Sequence, residues 1–158
     1  GNFGINLTRA MGKEIPGEGN YNNAIRHTTW QAIITKQYDK QIAIAVGNAH
    51  EENVRGTDFD QRTFAKMSDA DKLVDLLNNA IGREIGENNP NVSNVGLAGK
   101  VIDEFASNGL WTVKQVGKDH YVIERTKLSK EEYQSAKEKL NQLGSNGLTK
   151  KDKNEEKK

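Results

Sequence analysis

Cysteine is missing altogether, and proline nearly so, with two in 158 residues. Without Cys, disulfides, thiolate nucleophiles and Cys-based zinc sites are excluded, while the choice between cytosol, periplasm and secretion stays open. There is no apolar run of about 18 residues, so no transmembrane helix is expected, and no signal-peptide pattern at the start. The first residues are Gly-Asn-Phe-Gly rather than Met, so the chain reads as a segment of a longer protein. Charge of one sign is also lacking. The formal net charge is +1, yet the last ten residues hold five Lys against three acids, leaving 18 basic and 19 acidic residues before them. A body this close to neutral has no basic stripe to neutralise phosphates, so nucleic acid is not favoured as a partner. The apolar fraction of 34% is low, and the shortfall sits in polar ends and Asn/Gly-rich loops. One domain over residues 1–146, with a modest core and a disordered charged tail over 147–158, fits this balance.

What is present is mostly helical patterning. Glycines and Pro16 make residues 1–22 a loop-rich lead-in. A first helix is expected from Asn22 or Asn23 to Tyr38, with Ile25, Thr29, Ala32 and Ile33 on its apolar side. Asn23, His27 and Gln31 fall at i, i+4 and i+8 on a second stripe. Asp39 reads as the N-cap of a second helix reaching His50 or Glu52, with Ile42, Ala45, Val46 and Ala49 at core spacing. Ala43, Gly47 and His50 form a narrow small-residue stripe beside them. The two helices make an αα-hairpin. Glu52 to Met67 reads as a loop. Ser68 caps a third helix over about Asp69–Ile85, with Val74, Leu77, Ile81 and Ile85 inward. Its polar side, Asp75, Asn79 and Arg83, repeats the i, i+4, i+8 spacing. A fourth helix follows over about Ser93–Ala106, stopped by Asn108-Gly109. A β-hairpin pairs Leu110–Val116 with His120–Thr126, and a last helix starts at a Ser129/Glu132 capping box and ends before Gly144. The fold class is therefore mainly α (α+β with one small β-hairpin), with about five helices built on an αα-hairpin.

The chemistry-bearing groups cluster between residues 18 and 83. His27 and His50 lie at comparable distances from the hairpin turn, about 11 residues or roughly 17 Å along each helix, so the imidazoles can meet. They would form a metal pair or an acid/base pair, with Glu51, Glu18 or Asp58 supplying carboxylate and a divalent ion such as zinc as the cofactor. The plainer alternative is one core and one surface histidine, since neither spacing matches a tight metal motif. Arg26 and Trp30, at i and i+4, could stack as a cation–π pair, or Arg26 could bind an anion. The Asp75/Asn79/Arg83 stripe is either a solvated face or a binding face. Gly82 within it marks close approach of something, and the adjacent amides Asn78 and Asn79 suggest polar bonding across a helix interface or ligand contact. His120 beside a turn is expected to be exposed, and Trp111 to anchor the ribbon.

Three blocks, NNAIRHTTWQA (Asn22–Ala32), GNAHE (Gly47–Glu51) and DLLNNAIGREIG (Asp75–Gly86), in this order and spacing, resemble an uncharacterised domain. That domain recurs at the C-termini of bacterial polymorphic toxins and of type VI or related secretion effectors. The resemblance covers about residues 16–90. It points to Asn23, Arg26, His27 and Trp30, to His50 and Glu51, and to Asp75, Asn78, Asn79, Gly82 and Arg83. Some members carry His where this chain has Leu77, so a third imidazole is missing here. The resemblance implies delivery into a target bacterial cell by secretion machinery or a carrier domain, and neutralisation by a cognate immunity protein. The residues themselves suit a hydrolase. His27 and His50 would sit at its centre, with Glu51 or Glu18 as base or ligand, and Arg26, Arg83, Asn78 and Asn79 on an anionic group such as a phosphoester. Peptidoglycan cleavage, with Glu18 or Glu51 as the acid, and a non-enzymatic adaptor are the alternatives.

Overall fold

The computed structural model describes the backbone of residues 19–50 and 56–142, and the side chains of 21–46 and 56–142. In chain order the described elements are α1 (Gly19–Gln37), α2 (Lys40–His50), β1 (Thr63–Phe64), α3 (Met67–Asn88), α4 (Asn94–Ser107), β2 (Leu110–Gly117), β3 (His120–Thr126) and α5 (Lys130–Asn141). The fold is mainly α with a small antiparallel sheet.

α1 is the central helix. Burial runs around most of its circumference and takes in Ala24, Ile25, Ala32 and Ile34 together with the polar Asn22, Thr28, Thr29, Gln31 and Thr35. A helix covered on this many sides has no single apolar stripe to read from sequence. Two of the buried hydroxyls are satisfied inside the helix, Thr28 Oγ1 donating to Ala24 O and Thr35 Oγ1 to Gln31 O, each at 2.7 Å. α1 and α2 form the expected αα-hairpin, and Asp39 caps α2 by accepting from the Ile42 backbone N–H at 2.8 Å. The inward face of α2 differs from the expected one. Ala43 is buried, whereas Ile42 is exposed and Ala45 with it. Among the described side chains of α2, Ala43 is buried and Ile44 and Val46 are half-buried.

The most extensive helix–helix contact joins α1 to α3. A Cβ added at Gly82 would overlap the Thr28 carbonyl oxygen and press on Gln31 Cβ. At Gly86 it would overlap the Ala32 carbonyl oxygen and crowd Thr35 Cβ. A four-residue step on α3 therefore matches a four-residue step in the same direction on α1, so the helices run parallel. The close approach anticipated at Gly82 is that of α1. α3 starts at Met67 rather than Asp69, and its N-cap is Lys66 with no side-chain cap bond. Ser68 lies inside the first turn instead of capping it.

Two cores flank this pair. Ile25, Val101, Ile102, Phe105, Leu110 and Leu140 fill the space between α1, α4 and α5, with the Tyr21 ring edge-on to Phe105. Phe64, Leu73, Val74, Val113 and Ile123 bind the first half of α3 to the sheet. A fully buried Phe or Leu of this kind contributes about 1.5–3 kcal/mol. α4 is capped by Ser93, whose Oγ accepts from Gly96 N at 3.0 Å, and α5 by the complete Ser129/Glu132 box. Gly109, at φ +93°, ends α4 where a Cβ would meet the Thr126 carbonyl oxygen. The hairpin is as expected, with Asp119 left-handed at φ 51° in its turn. The sheet, however, has three strands in the order β1-β3-β2, because Thr63 and Phe64 pair with Val122 and Tyr121. A two-residue strand shows no alternation, which is why the 52–67 stretch reads as loop.

β2 lies at the edge, and α3 covers part of that edge. Asn78 Nδ2 donates to Trp111 O and Asn78 Oδ1 accepts from Trp111 N, both at 2.9 Å. The side-chain amide thus takes the place of a neighbouring strand for one residue. Arg62 covers the Trp111 ring, 4.5 Å from its centroid. Trp111 anchors the ribbon as expected, and His120 is exposed.

Candidate functional site

The two polar stripes meet across the α1–α3 seam. Asn23, His27 and Gln31 on α1 face Asp75, Asn79 and Arg83 on α3, and two contacts bridge them. His27 Nε2 lies 3.8 Å from Asp75 Oδ2, and Arg83 Nη1 donates to Gln31 Oε1 at 3.3 Å. The stripe on α3 is therefore a packed face, with Asn79 2% exposed, and not a solvated one. Parallel packing and the missing Cβ atoms at Gly82 and Gly86 are what allow short side chains to reach across.

His27 Nε2 stands between a donor and a carboxylate. Arg26 Nη2 donates to Asn23 Oδ1 at 2.9 Å and stands 3.4 Å from His27 Nε2, the same nitrogen that faces Asp75. A guanidinium can only donate, so Arg26 pairs with Nε2 when that atom carries a lone pair. Asp75 pairs with it when it carries a proton. One nitrogen cannot serve both partners at once, so the tautomer or charge of the ring decides which of the two it pairs with. Imidazole and carboxylate are both about 80% buried, at 19% and 17% side-chain exposure.

Around Gln31 the balance tips to donors. Among the described residues the Arg83 guanidinium makes one hydrogen bond, to the neutral Gln31, and no ion pair, and burial lowers its proton affinity. Gln31 is fully buried, and its Nε2 has no hydrogen-bond partner. Asn79 Oδ1 is likewise buried without one. Asp71 extends the α3 stripe by one turn, and burial pushes its carboxyl up, toward the protonated form. Gln31 and Asp71 were not among the sequence candidates. The i+8 position of Gln31 is visible in its stripe, but its pairing with Arg83 is not, and Asp71 falls one turn before Asp75 on the same period.

Residues 5–109 match the family described as a domain of unknown function, DUF6973. The chain belongs to that family. No curated protein and no solved structure matches it. The DUF6973 span takes in α1, α2, α3 and α4 and closes at Gly109, so both cross-seam contacts lie inside it while the hairpin and α5 lie beyond.

The remaining candidates separate. Asn78 is turned from the seam, its amide engaged by Trp111. Trp30 continues the partly open stripe of Asn23, Arg26 and His27 along α1, at i+7 from Asn23. Asp58 lies in the loop before β1, in a shallow cleft of about 300 Å³ with Asp69 and Lys72, where its carboxylate accepts from Asp60 N at 2.9 Å. His50 ends α2, but its side chain, like Glu51 and Glu18, lies outside the described residues. Among the described residues no three His, Asp or Glu side chains stand together as a metal-holding group. A zinc site through His27 would therefore draw on His50, Glu51 or Glu18. No described helix is long and apolar enough to cross a membrane.

Proposed function

We propose that the α1–α3 seam is the acid–base centre of a hydrolase acting on phosphate esters, in an effector domain delivered into target bacteria. The observation that carries this reading is His27 Nε2 set between Asp75 and Arg26. In this reading His27 takes a proton from the attacking water, Asp75 stabilises the imidazolium that results, and Arg26 and Arg83 hold the ester's negative charge. Asn23 fixes the Arg26 side chain. The near-neutral body supports an envelope lipid head group over nucleic acid. The effector context, its secretion machinery and its immunity protein rest on the resemblance of the three sequence blocks.

The test is cleavage of bis(p-nitrophenyl) phosphate and of phospholipid vesicles by the wild type and by His27→Ala, alongside growth of bacteria expressing each in cytoplasm or periplasm. Ester cleavage and growth arrest, both lost in a His27→Ala protein that still melts cooperatively, are the expected results. Equal activity in the two proteins would overturn the assignment. One observation favours a second reading, a non-enzymatic binding module. Tyr38 and Ile42, at i and i+4, are 65% and 44% exposed, an apolar surface at the start of α2 that an immunity protein or adaptor could cover.

A further inference from the structure

The seam has an excess of buried donors one helical turn along α1 from His27. Arg83 is a half-buried cation whose counter-charge is missing among the described residues, and its one side-chain bond goes to the neutral Gln31 Oε1. That bond fixes the orientation of the Gln31 amide, because a flipped amide would turn N–H against N–H. With Oε1 committed to Arg83, Nε2 is presented as a fully buried donor that has no partner. Leaving a buried amide donor unmade is costly, and an uncompensated buried charge costs more. Asn79 Oδ1, one turn before Arg83 on the same stripe, adds a buried acceptor that is also unmade.

We infer that Gln31 Nε2 and the Arg83 guanidinium form a subsite for a phosphate group, with Asn79 Oδ1 accepting its P–OH. An anion satisfies both donors and neutralises Arg83, and a hydrogen phosphate, unlike a carboxylate, also has a proton for Asn79. Gln31 is then a specificity residue of the seam: Arg83 aims its amide, and the amide reads the oxygen. The placement beside His27 rests on the hydrolase reading, but binding of phosphate here does not. The two can fail separately.

The experiment is a titration of the wild-type protein with inorganic phosphate, followed by the NMR signals of the Gln31 side-chain NH2 and the Arg83 guanidinium. Both are expected to shift in one saturable process, with the Asp75 and His27 backbone amides disturbed less. Gln31→Glu, which gives Arg83 a built-in counter-charge at unchanged side-chain volume, is expected to weaken phosphate binding by about tenfold or more while the urea transition stays cooperative. His27→Ala is expected to bind within about threefold of wild type. Gln31 and Arg83 signals that do not respond to phosphate would overturn the subsite, as would a Gln31→Glu protein that binds phosphate as well as wild type. A wild type that binds phosphate at these signals but cleaves no ester would keep the subsite and remove the hydrolase.

Discussion

Gln31 accepts from Arg83 at 3.3 Å one helical turn along α1 from His27, whose ring reaches Asp75 two turns earlier on α3. The same two helices thus carry an acid–base contact at one level and a donor-rich contact at the next. Both depend on a parallel packing that leaves no room for a methyl group at Gly82 or Gly86.

Asp75→Asn keeps the shape of the side chain and removes its charge. The imidazolium at His27 then loses the Asp75 carboxylate, so on the hydrolase reading phosphodiester turnover should fall by about 10²–10⁴. Steady-state rates measured beside a thermal melt separate this from unfolding. A rate equal to wild type would mean that Asp75 takes no part in the chemistry.

Gly82→Ala sets two effects against each other. Alanine gains about 1 kcal/mol of helix propensity over glycine. Its Cβ, however, would overlap a backbone carbonyl of α1, which cannot rotate away, and overpacking of this kind costs about 1–3 kcal/mol or more. Net destabilisation is expected, and a larger one for the double variant with Gly86→Ala. Urea denaturation reads it, and a stabilised Gly82→Ala would show that the helices stand further apart than described.

Asn78→Ala removes both partners of the Trp111 peptide at once. Two unmade backbone groups at about 1–3 kcal/mol each put the loss near 2–4 kcal/mol after partial rehydration. Trp111 reports on it directly, so its fluorescence should move with the loss of stability. If binding were the main task of Asn78, the melt would barely change.

Asp103 provides a pH test away from the seam. Burial pushes its carboxyl up, but the Lys137 ammonium at 2.9 Å and the Tyr133 hydroxyl at 2.7 Å outweigh this and hold it below its ordinary 3.8. The unfolded chain therefore takes up the proton first as pH falls. The stabilisation is complete above about pH 4–5 and is lost as pH drops through the lower, folded value. Wild type should exceed Asp103→Asn in stability at pH 7, and the gap should close below pH 4. A gap independent of pH would assign the difference to shape and not to charge.

Much of this arrangement was legible in the sequence, and the misses have physical reasons. The stripes Asn23/His27/Gln31 and Asp75/Asn79/Arg83 follow from helical period alone, and the caps Asp39 and Ser129 from local side chain–backbone bonding. That the stripes face each other is tertiary information, carried by two glycines whose effect depends on what lies opposite. The inward face of α2 does not follow from its sequence because every residue from Ile42 to Gly47 is small or apolar, and period cannot choose among equivalent faces. Asn78 and Asn79 look alike as neighbours, yet a 100° turn of helix sends one to β2 and the other to α1. β1 is too short to carry a pattern.

The glycine notch also sets a length scale for reactivity. An imidazole and an aspartate are short side chains, and across an ordinary helix pair, with axes 8–10 Å apart, such groups meet only when the backbones are drawn close. At 3.8 Å the His27–Asp75 contact has little slack. A helix displaced by the width of one methyl would open a gap that water fills, and the imidazole and the carboxylate would each be hydrated instead of paired. The atoms absent from Gly82 and Gly86 therefore help to set the His27–Asp75 separation two and three turns away on α3, which makes the interhelical spacing itself a parameter that substitution at either glycine can adjust.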